Sequence, residues 1–113
     1  MKGAEWMTEK DVVAHLRGYA AALVMIKNLE DDGEMVIAEK LRRGVSFFCE
    51  CMVEAAGKDS ELLMRHYVRG ERWKEIGAAL HIGERYVSRR ARKALAAVAA
   101  VMSKKIEEEK RGK

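Results

Sequence analysis

The first half of the chain carries an apolar stripe at helical spacing. Its members recur at alternating steps of four and three residues: Val12, Leu16, Tyr19, Leu23 and Ile26. This periodicity predicts an amphipathic helix of about four turns that packs along another helix. Thr8, with Asp11 three residues later, is suited to cap its N-terminus. Gly33 is suited to the left-handed turn that would end it.

A second apolar stripe follows the glycine at position 33. It consists of Ile37, Leu41, Val45, Phe48, Met52 and Ala55, and Gly57 closes it. The two stripes predict an antiparallel helical hairpin over residues 1–57, or a pair of helices that dimerises. Neither stripe contains residues to which a chemical role can be assigned.

The second half of the chain predicts three further helices. The first runs from Glu61 to about Val68, is capped by Asp59 or Ser60, buries Leu62, Leu63 and Tyr67, and ends at Gly70. The second spans 73–80, with Trp73, Ile76, Gly77 and Leu80 on its inner face. The third begins at Glu84 and buries Val87, Ala91, Ala94, Leu95 and Val98. Because the chain also contains no proline, the predicted fold class is all-α.

The connection between the last two helices has the spacing of a helix-turn-helix. Two short helices that cross steeply need a very small residue where they approach, and Gly77 occupies that position. The three-residue turn 81–83 must return one apolar side chain to the core, which Ile82 provides. Val87 and Ala91 then anchor one face of the next helix. Its opposite face is left free to enter a DNA groove.

This segment resembles the promoter-reading helix-turn-helix of bacterial sigma factors. The likeness covers about 40 of the 113 residues and lies in Leu63 and in residues 67–77, 80–87 and 92–95. Members of that family usually have glycine where this chain has His81, and serine or threonine as the N-cap where it has Gly83. A helical hairpin ahead of such a module is similar to small regulators encoded by phages and mobile elements. The resemblance implies a cytoplasmic DNA-binding protein that acts at promoters.

Charge is distributed unequally between the two halves. Residues 58–113 hold 15 Lys and Arg against 8 Asp and Glu, a net charge of +7, whereas residues 1–57 hold 7 against 10, a net charge of −3. A basic half joined to a mildly acidic half indicates that only one half meets a polyanion, although a solvated charged face would give the same count. We therefore assign residues 58–113, with their C-terminal helical tail, to DNA binding.

The free face of the last helix supplies the candidate site. With Val87 as the buried direction, Arg85, Arg89 and Arg92 fall within about 40° of the opposite side. Arginine can donate two hydrogen bonds to guanine, and Arg or Lys can pair with phosphate. We expect Arg85 and Arg89 to reach base edges, with Ser88 and Tyr86 as neighbours. The predicted phosphate contacts are Arg90, Arg92 and Lys93, together with Arg72 and Lys74 on the preceding helix.

Other kinds of site find little support in the sequence. His15, His66 and His81 are scattered, and with Cys49 and Cys51 they give no recognisable zinc spacing. We find no nucleophile–base pair, no phosphate loop and no paired carboxylates in a plausible pocket, so we expect no enzymatic activity, cofactor or metal. The thiol pair and the absence of a secretory leader or an apolar membrane span favour the cytoplasm. Six methionines are predicted to fill the core: Met7, Met25, Met35, Met52, Met64 and Met102.

The pattern leaves several alternatives open. The leading hypothesis is a sequence-specific transcription regulator that binds double-stranded DNA, as a homodimer reading two half-sites. Either the Val12–Ile26 stripe or the stripe that begins at Ile37 could form that dimer, or the hairpin could contact RNA polymerase or another protein. A DNA-packaging or recombination accessory protein would use the same motif. An all-helical protein-interaction module would not bind nucleic acid.

Overall fold

The computed structural model describes residues 7–112, and this part of the chain is all-helical, without a strand. The helices are α1 (Glu9–Asp31), α2 (Met35–Ala56), α3 (Ser60–Leu63), α4 (Trp73–Leu80) and α5 (Glu84–Arg111). A 3₁₀ turn, Gly57–Asp59, links α2 to α3, and a π-helical turn, Met64–Val68, extends α3. The predicted all-α class is confirmed.

The predicted ends of α1 are confirmed. The Thr8 hydroxyl accepts a hydrogen bond from the Asp11 N–H at 3.3 Å, and the Asp11 carboxylate accepts one from the Thr8 N–H at 2.8 Å. This reciprocal cap satisfies two donors that the first helical turn leaves free, and the Thr8 N–H bond lowers the pKa of Asp11. At the other end, Gly33 has a φ of 80°, which a side chain would disfavour.

Helices α1 and α2 are joined by three residues and pack against each other in antiparallel orientation. Val12, Leu16 and Ile26 of the first stripe are buried and Tyr19 is half-buried, as predicted. Leu23, however, is 44% exposed, so its assignment to the buried seam is wrong. In the second stripe Phe48 and Met52 are buried, whereas Ile37 is 50% exposed.

Helix α2 packs on α5 as well as on α1, and Phe48, Cys51 and Met52 in its C-terminal half belong to the shared core cluster. Its buried face is therefore wider than a single stripe and includes Cys51, which the sequence pattern did not single out. Burial raises the pKa of the Cys51 thiol. No residue from the half of α2 nearest the α1–α2 turn belongs to this cluster, and Met35, Val36 and Ile37 there are exposed.

The short segment before α4 differs from the prediction at its start. Neither Asp59 nor Ser60 caps α3 with its side chain. The Ser60 hydroxyl instead donates to the Gly57 carbonyl at 2.8 Å, and Asp59 forms an ion pair with Arg90 of α5. Leu62 and Leu63 are buried as predicted, while Tyr67 is only half-buried.

One hydrophobic cluster joins side chains from both predicted segments. Val12 and Leu16 of α1 and Phe48 and Met52 of α2 pack with the following residues from the second half: Leu62, Leu63, Ile76, Val87, Ala91, Leu95, Val98 and Met102. Of the six methionines assigned to the core, Met52 and Met102 are buried and Met7 and Met64 pack against it. Met25 and Met35 are exposed, so that assignment is wrong for both. No helix within residues 7–112 is long and apolar enough to cross a membrane.

Candidate nucleic-acid interface

The connection between α4 and α5 is a tight turn of three residues, as predicted. Gly77 of α4 is buried at the point where the turn passes over the helix. A Cβ atom at this position would lie 2.7 Å from the carbonyl oxygen of Ile82, closer than real Cβ contacts allow. The Ile82 N–H donates in return to the Gly77 carbonyl at 2.9 Å. The close approach therefore requires glycine.

The residues of the turn and their neighbours fix the direction of α5. His81 has the left-handed conformation, with φ 60° and ψ 38°, and Gly83 is the N-cap of α5. Ile82 packs against the core, beside the buried Ile76 and Val87. Leu80, which was expected on the inner face of α4, is 42% exposed and that assignment is wrong. Since α4 ends there and the chain turns away, no element covers its last apolar side chain.

Four cations lie along the side of α5 that faces away from the core. Arg85, Arg89, Arg92 and Lys93 are exposed, and none forms an ion pair or side-chain hydrogen bond with the described part of the protein. We call these four residues the cationic ridge. No carboxylate within residues 7–112 pairs with any of the four, and four like charges along one helix favour an external anion there.

Two of the predicted neighbours adjoin this ridge. Tyr86 is 50% exposed. Ser88 is half-buried, and its hydroxyl donates to the Arg85 carbonyl at 3.2 Å. Both side chains therefore remain within reach of a molecule that lies against α5.

Arg90 lies apart from the cationic ridge. Its guanidinium is half-buried, forms an ion pair with Asp59 and lies 5.6 Å from the centre of the Tyr86 ring. The hydrogen bond and charge of Asp59 raise the pKa of Arg90 above its ordinary value. This pair connects the segment after α2 to the first half of α5. The Asp59 carboxylate competes with any phosphate for the Arg90 guanidinium.

Arg72 and Lys74 lie at the start of α4, and both are exposed. The Arg72 N–H donates to the Glu75 carboxylate at 2.8 Å, and its guanidinium lies 3.7 Å from the same group. The preceding His66 ring stacks on Trp73 at a centroid distance of 3.7 Å, with Tyr67 edge-on to Trp73 at 6.1 Å. These three rings hold the first turn of α4, and with it Lys74, in place.

A cleft of about 760 Å³ adjoins the cationic ridge and lies between α1, the start of α4 and α5. Ser88 and Arg92 line it from α5, and Lys10 and Arg17 line it from α1. The Arg17 guanidinium lies 5.8 Å from the centre of the Tyr67 ring. Neither Lys10 nor Arg17 has a carboxylate partner in the described part of the chain.

Sequence reasoning missed these two cations of the cleft. Lys10 and Arg17 are seven residues apart, two helical turns, which places them on one side of α1. That spacing was visible in the sequence. Nothing in the sequence showed that α1 would lie beside α5.

Metal ions are bound by particular arrangements of histidine, cysteine and acidic side chains. No group of three or more His, Cys, Asp or Glu side chains within residues 7–112 is arranged to hold a metal ion. Cys49 and Cys51 are free thiols.

Comparisons of the chain with models of protein families, with curated proteins and with solved structures gave no match.

Proposed function

We propose that the chain binds double-stranded DNA with α5, and that α4, the turn 81–83 and α5 act as a helix-turn-helix in a small transcription regulator of the cytoplasm. The observation that carries this proposal is the cationic ridge. Its four side chains project from the one face of α5 that the core leaves free, without an anionic partner in the described part of the chain. The close approach of the turn to α4 at Gly77, which lets three residues join α4 to α5, supports the same function.

In this function the first turns of α5 enter the major groove. Arg85 and Arg89 lie nearest the N-terminus of α5 and donate paired hydrogen bonds to guanine O6 and N7, with Ser88 and Tyr86 beside them. Arg92 and Lys93, further along the helix, pair with phosphates. Arg72 and Lys74, at the start of α4, meet the strand that this helix crosses.

Arg90 has a different role in this proposal from the one expected from the sequence. Because Asp59 already neutralises its guanidinium, it orients α5 relative to the rest of the protein rather than binding phosphate. The cleft next to the ridge extends the DNA interface onto α1. There Arg17 and Lys10 bind the phosphates of the strand that passes Trp73 and Arg92.

The proposal is tested by selecting bound fragments from a pool of random duplex DNA and titrating the best fragment with salt. We expect enrichment of a defined sequence. With six cations on phosphates, namely Lys10, Arg17, Arg72, Lys74, Arg92 and Lys93, the slope of log K against log salt approaches about −5 per chain. A slope near zero, or no retention of any duplex, would refute DNA binding.

Replacing Arg17 by alanine tests the extension onto α1. We expect the affinity for every duplex to fall about three- to tenfold at low salt, and the salt slope to become shallower by about one, because one phosphate contact is lost. Lys93→Ala should lower the affinity and the salt slope by similar amounts. Lys27→Ala removes the same charge from an exposed position two to three turns further along α1 and should change neither quantity. Equal slopes for Arg17→Ala and the unmodified protein would place Arg17 outside the interface.

A further inference from the structure

The α1–α2 pair has a second face that the core does not use. A groove of about 490 Å³ runs between the two helices, and most of the residues that line it are apolar or glycine. Its apolar wall on α1 includes Ala14, Gly18 and Ala22, and its wall on α2 includes Leu41 and Val45. Helical spacing extends both walls towards the turn, since Met25 follows Ala22 by three residues and Ile37 precedes Leu41 by four.

The end of the α1–α2 pair at the turn carries a concentration of exposed apolar side chains. Leu23, Val24 and Met25 before the turn and Met35, Val36 and Ile37 after it are six of the nine large apolar residues that are most exposed in the described part of the chain. Because successive helical residues point about 100° apart, Met25 and Ile37 continue the walls of the groove, whereas the other four point to other sides.

Two glycines within the groove have no packing explanation in the single chain. Gly18 and Gly44 lie in the middle of α1 and α2, where glycine weakens a helix relative to alanine. A Cβ atom at either position would meet nothing within 4 Å among the described residues. At Gly77, by contrast, a Cβ would collide with the backbone of Ile82. The groove therefore has room for another helix to approach closely.

Besides His15 and Tyr19, the groove is lined by two residues of opposite charge. Asp11 lies near the open end of the α1–α2 pair, Lys40 lies near the turn, and Gly18 lies between them along the groove. A two-fold axis near Gly18 would therefore place each Lys40 opposite the Asp11 of a second copy. The same operation brings Met25 and Ile37 of each copy towards the open end of the other copy's groove.

The size of the face matches what a dimer needs. From Asp11 to Met25 it extends about 20 Å at 1.5 Å per residue, and it is two helices wide. Two such faces in contact would bury on the order of 1,000–1,500 Å² in total, which is the size of a specific protein interface.

We infer that a second copy of this chain docks in the groove, so that two α1–α2 pairs form a four-helix bundle with the two α5 helices outside it. The interface is the groove face, whereas Val12 and Leu16 of the same helix are committed to the core of the single chain. This inference does not depend on DNA binding.

Sedimentation of the full chain without DNA tests the inference. The unmodified protein should sediment at twice the chain mass at micromolar concentration. Gly44→Glu fills the space that a second helix would enter and should raise the dissociation constant of the dimer about 100-fold or more, because the added side chain blocks close approach and its carboxylate would lose water even beside Lys40. Ser46→Glu adds the same charge to an exposed position of α2 that does not line the groove, and should leave the dimer intact.

Replacing Gly18 or Gly44 by alanine tests the dimer interface without introducing a charge. Gly18→Ala and Gly44→Ala should raise the thermal stability of the dilute, monomeric protein, because alanine favours the helix, and should weaken the dimer. A monomer at every concentration, equal dimerisation of Gly44→Glu and Ser46→Glu, or tighter dimers of both alanine variants would overturn the inference.

Discussion

Replacing Gly77 by alanine is expected to lower the free energy of unfolding by about 2 kcal/mol. The added Cβ would lie 2.7 Å from the Ile82 carbonyl oxygen, a backbone atom that cannot rotate away. Overpacking of this kind costs up to about 3 kcal/mol, and the better helix propensity of alanine offsets about 1 kcal/mol of it. The turn must open to relieve the contact, so α5 should also tilt and DNA binding should weaken.

Urea unfolding followed by circular dichroism measures this change. Gly18→Ala is the matched control, since the same methyl group enters open space in the middle of α1. At concentrations where the chain is monomeric, Gly18→Ala should raise the free energy of unfolding by about 1 kcal/mol. If Gly77→Ala were stabilising as well, the contact between α4 and the turn would not be as close as described.

Replacing Arg89 by alanine is expected to weaken binding to the selected DNA site by about 1–3 kcal/mol, and to relax the base preference at one position of that site. Arg89 is exposed in the second turn of α5 and has no anionic partner within residues 7–112. In the proposed complex the substitution would remove a paired hydrogen bond to a base edge, while the protein fold should be unaffected. Competition between the selected duplex and its single-base variants measures both effects.

Two other variants show whether the weaker binding of Arg89→Ala comes from a lost base contact. Lys93→Ala should weaken all duplexes alike, because phosphates carry no sequence information. Lys27→Ala, on the distant part of α1, should have no effect. Should Arg89→Ala keep the full base preference and only weaken binding, Arg89 would be a phosphate contact and the reading surface would lie elsewhere on α5.

Much of the second half could be predicted because its signals are local. The limits of α4, the three-residue turn and the start of α5 followed from glycine positions and helical periodicity, and the structure places them as expected. The buried face of α5 was also correct, since Val87, Ala91, Ala94, Leu95 and Val98 are all buried. A single stripe identified it because the core lies on one side of α5 throughout this stretch.

Predictions were wrong where burial depends on how far a neighbouring helix extends. Leu23 and Ile37 continue apolar stripes that are buried elsewhere, yet both lie near the α1–α2 turn, where no residue joins the core cluster that includes α5. Leu80 is exposed for a similar reason, because α4 stops at that residue. Periodicity states which side of a helix is apolar, but it carries no information about where the partner ends.

By itself, the sequence determined an all-helical chain, the glycine-dependent turn before α5 and the row of cations on its outer side, since backbone conformation and helical period act over a few residues. Three features were visible only in the tertiary structure. Asp59 forms an ion pair with Arg90, Arg17 of α1 lines the same cleft as Arg92 of α5, and a groove is left between α1 and α2. The first two depend on contacts between residues far apart in sequence, 31 positions for Asp59 and Arg90 and 75 for Arg17 and Arg92. The third depends on which face of the α1–α2 pair packs against the core. Such distances are fixed only when the whole core packs.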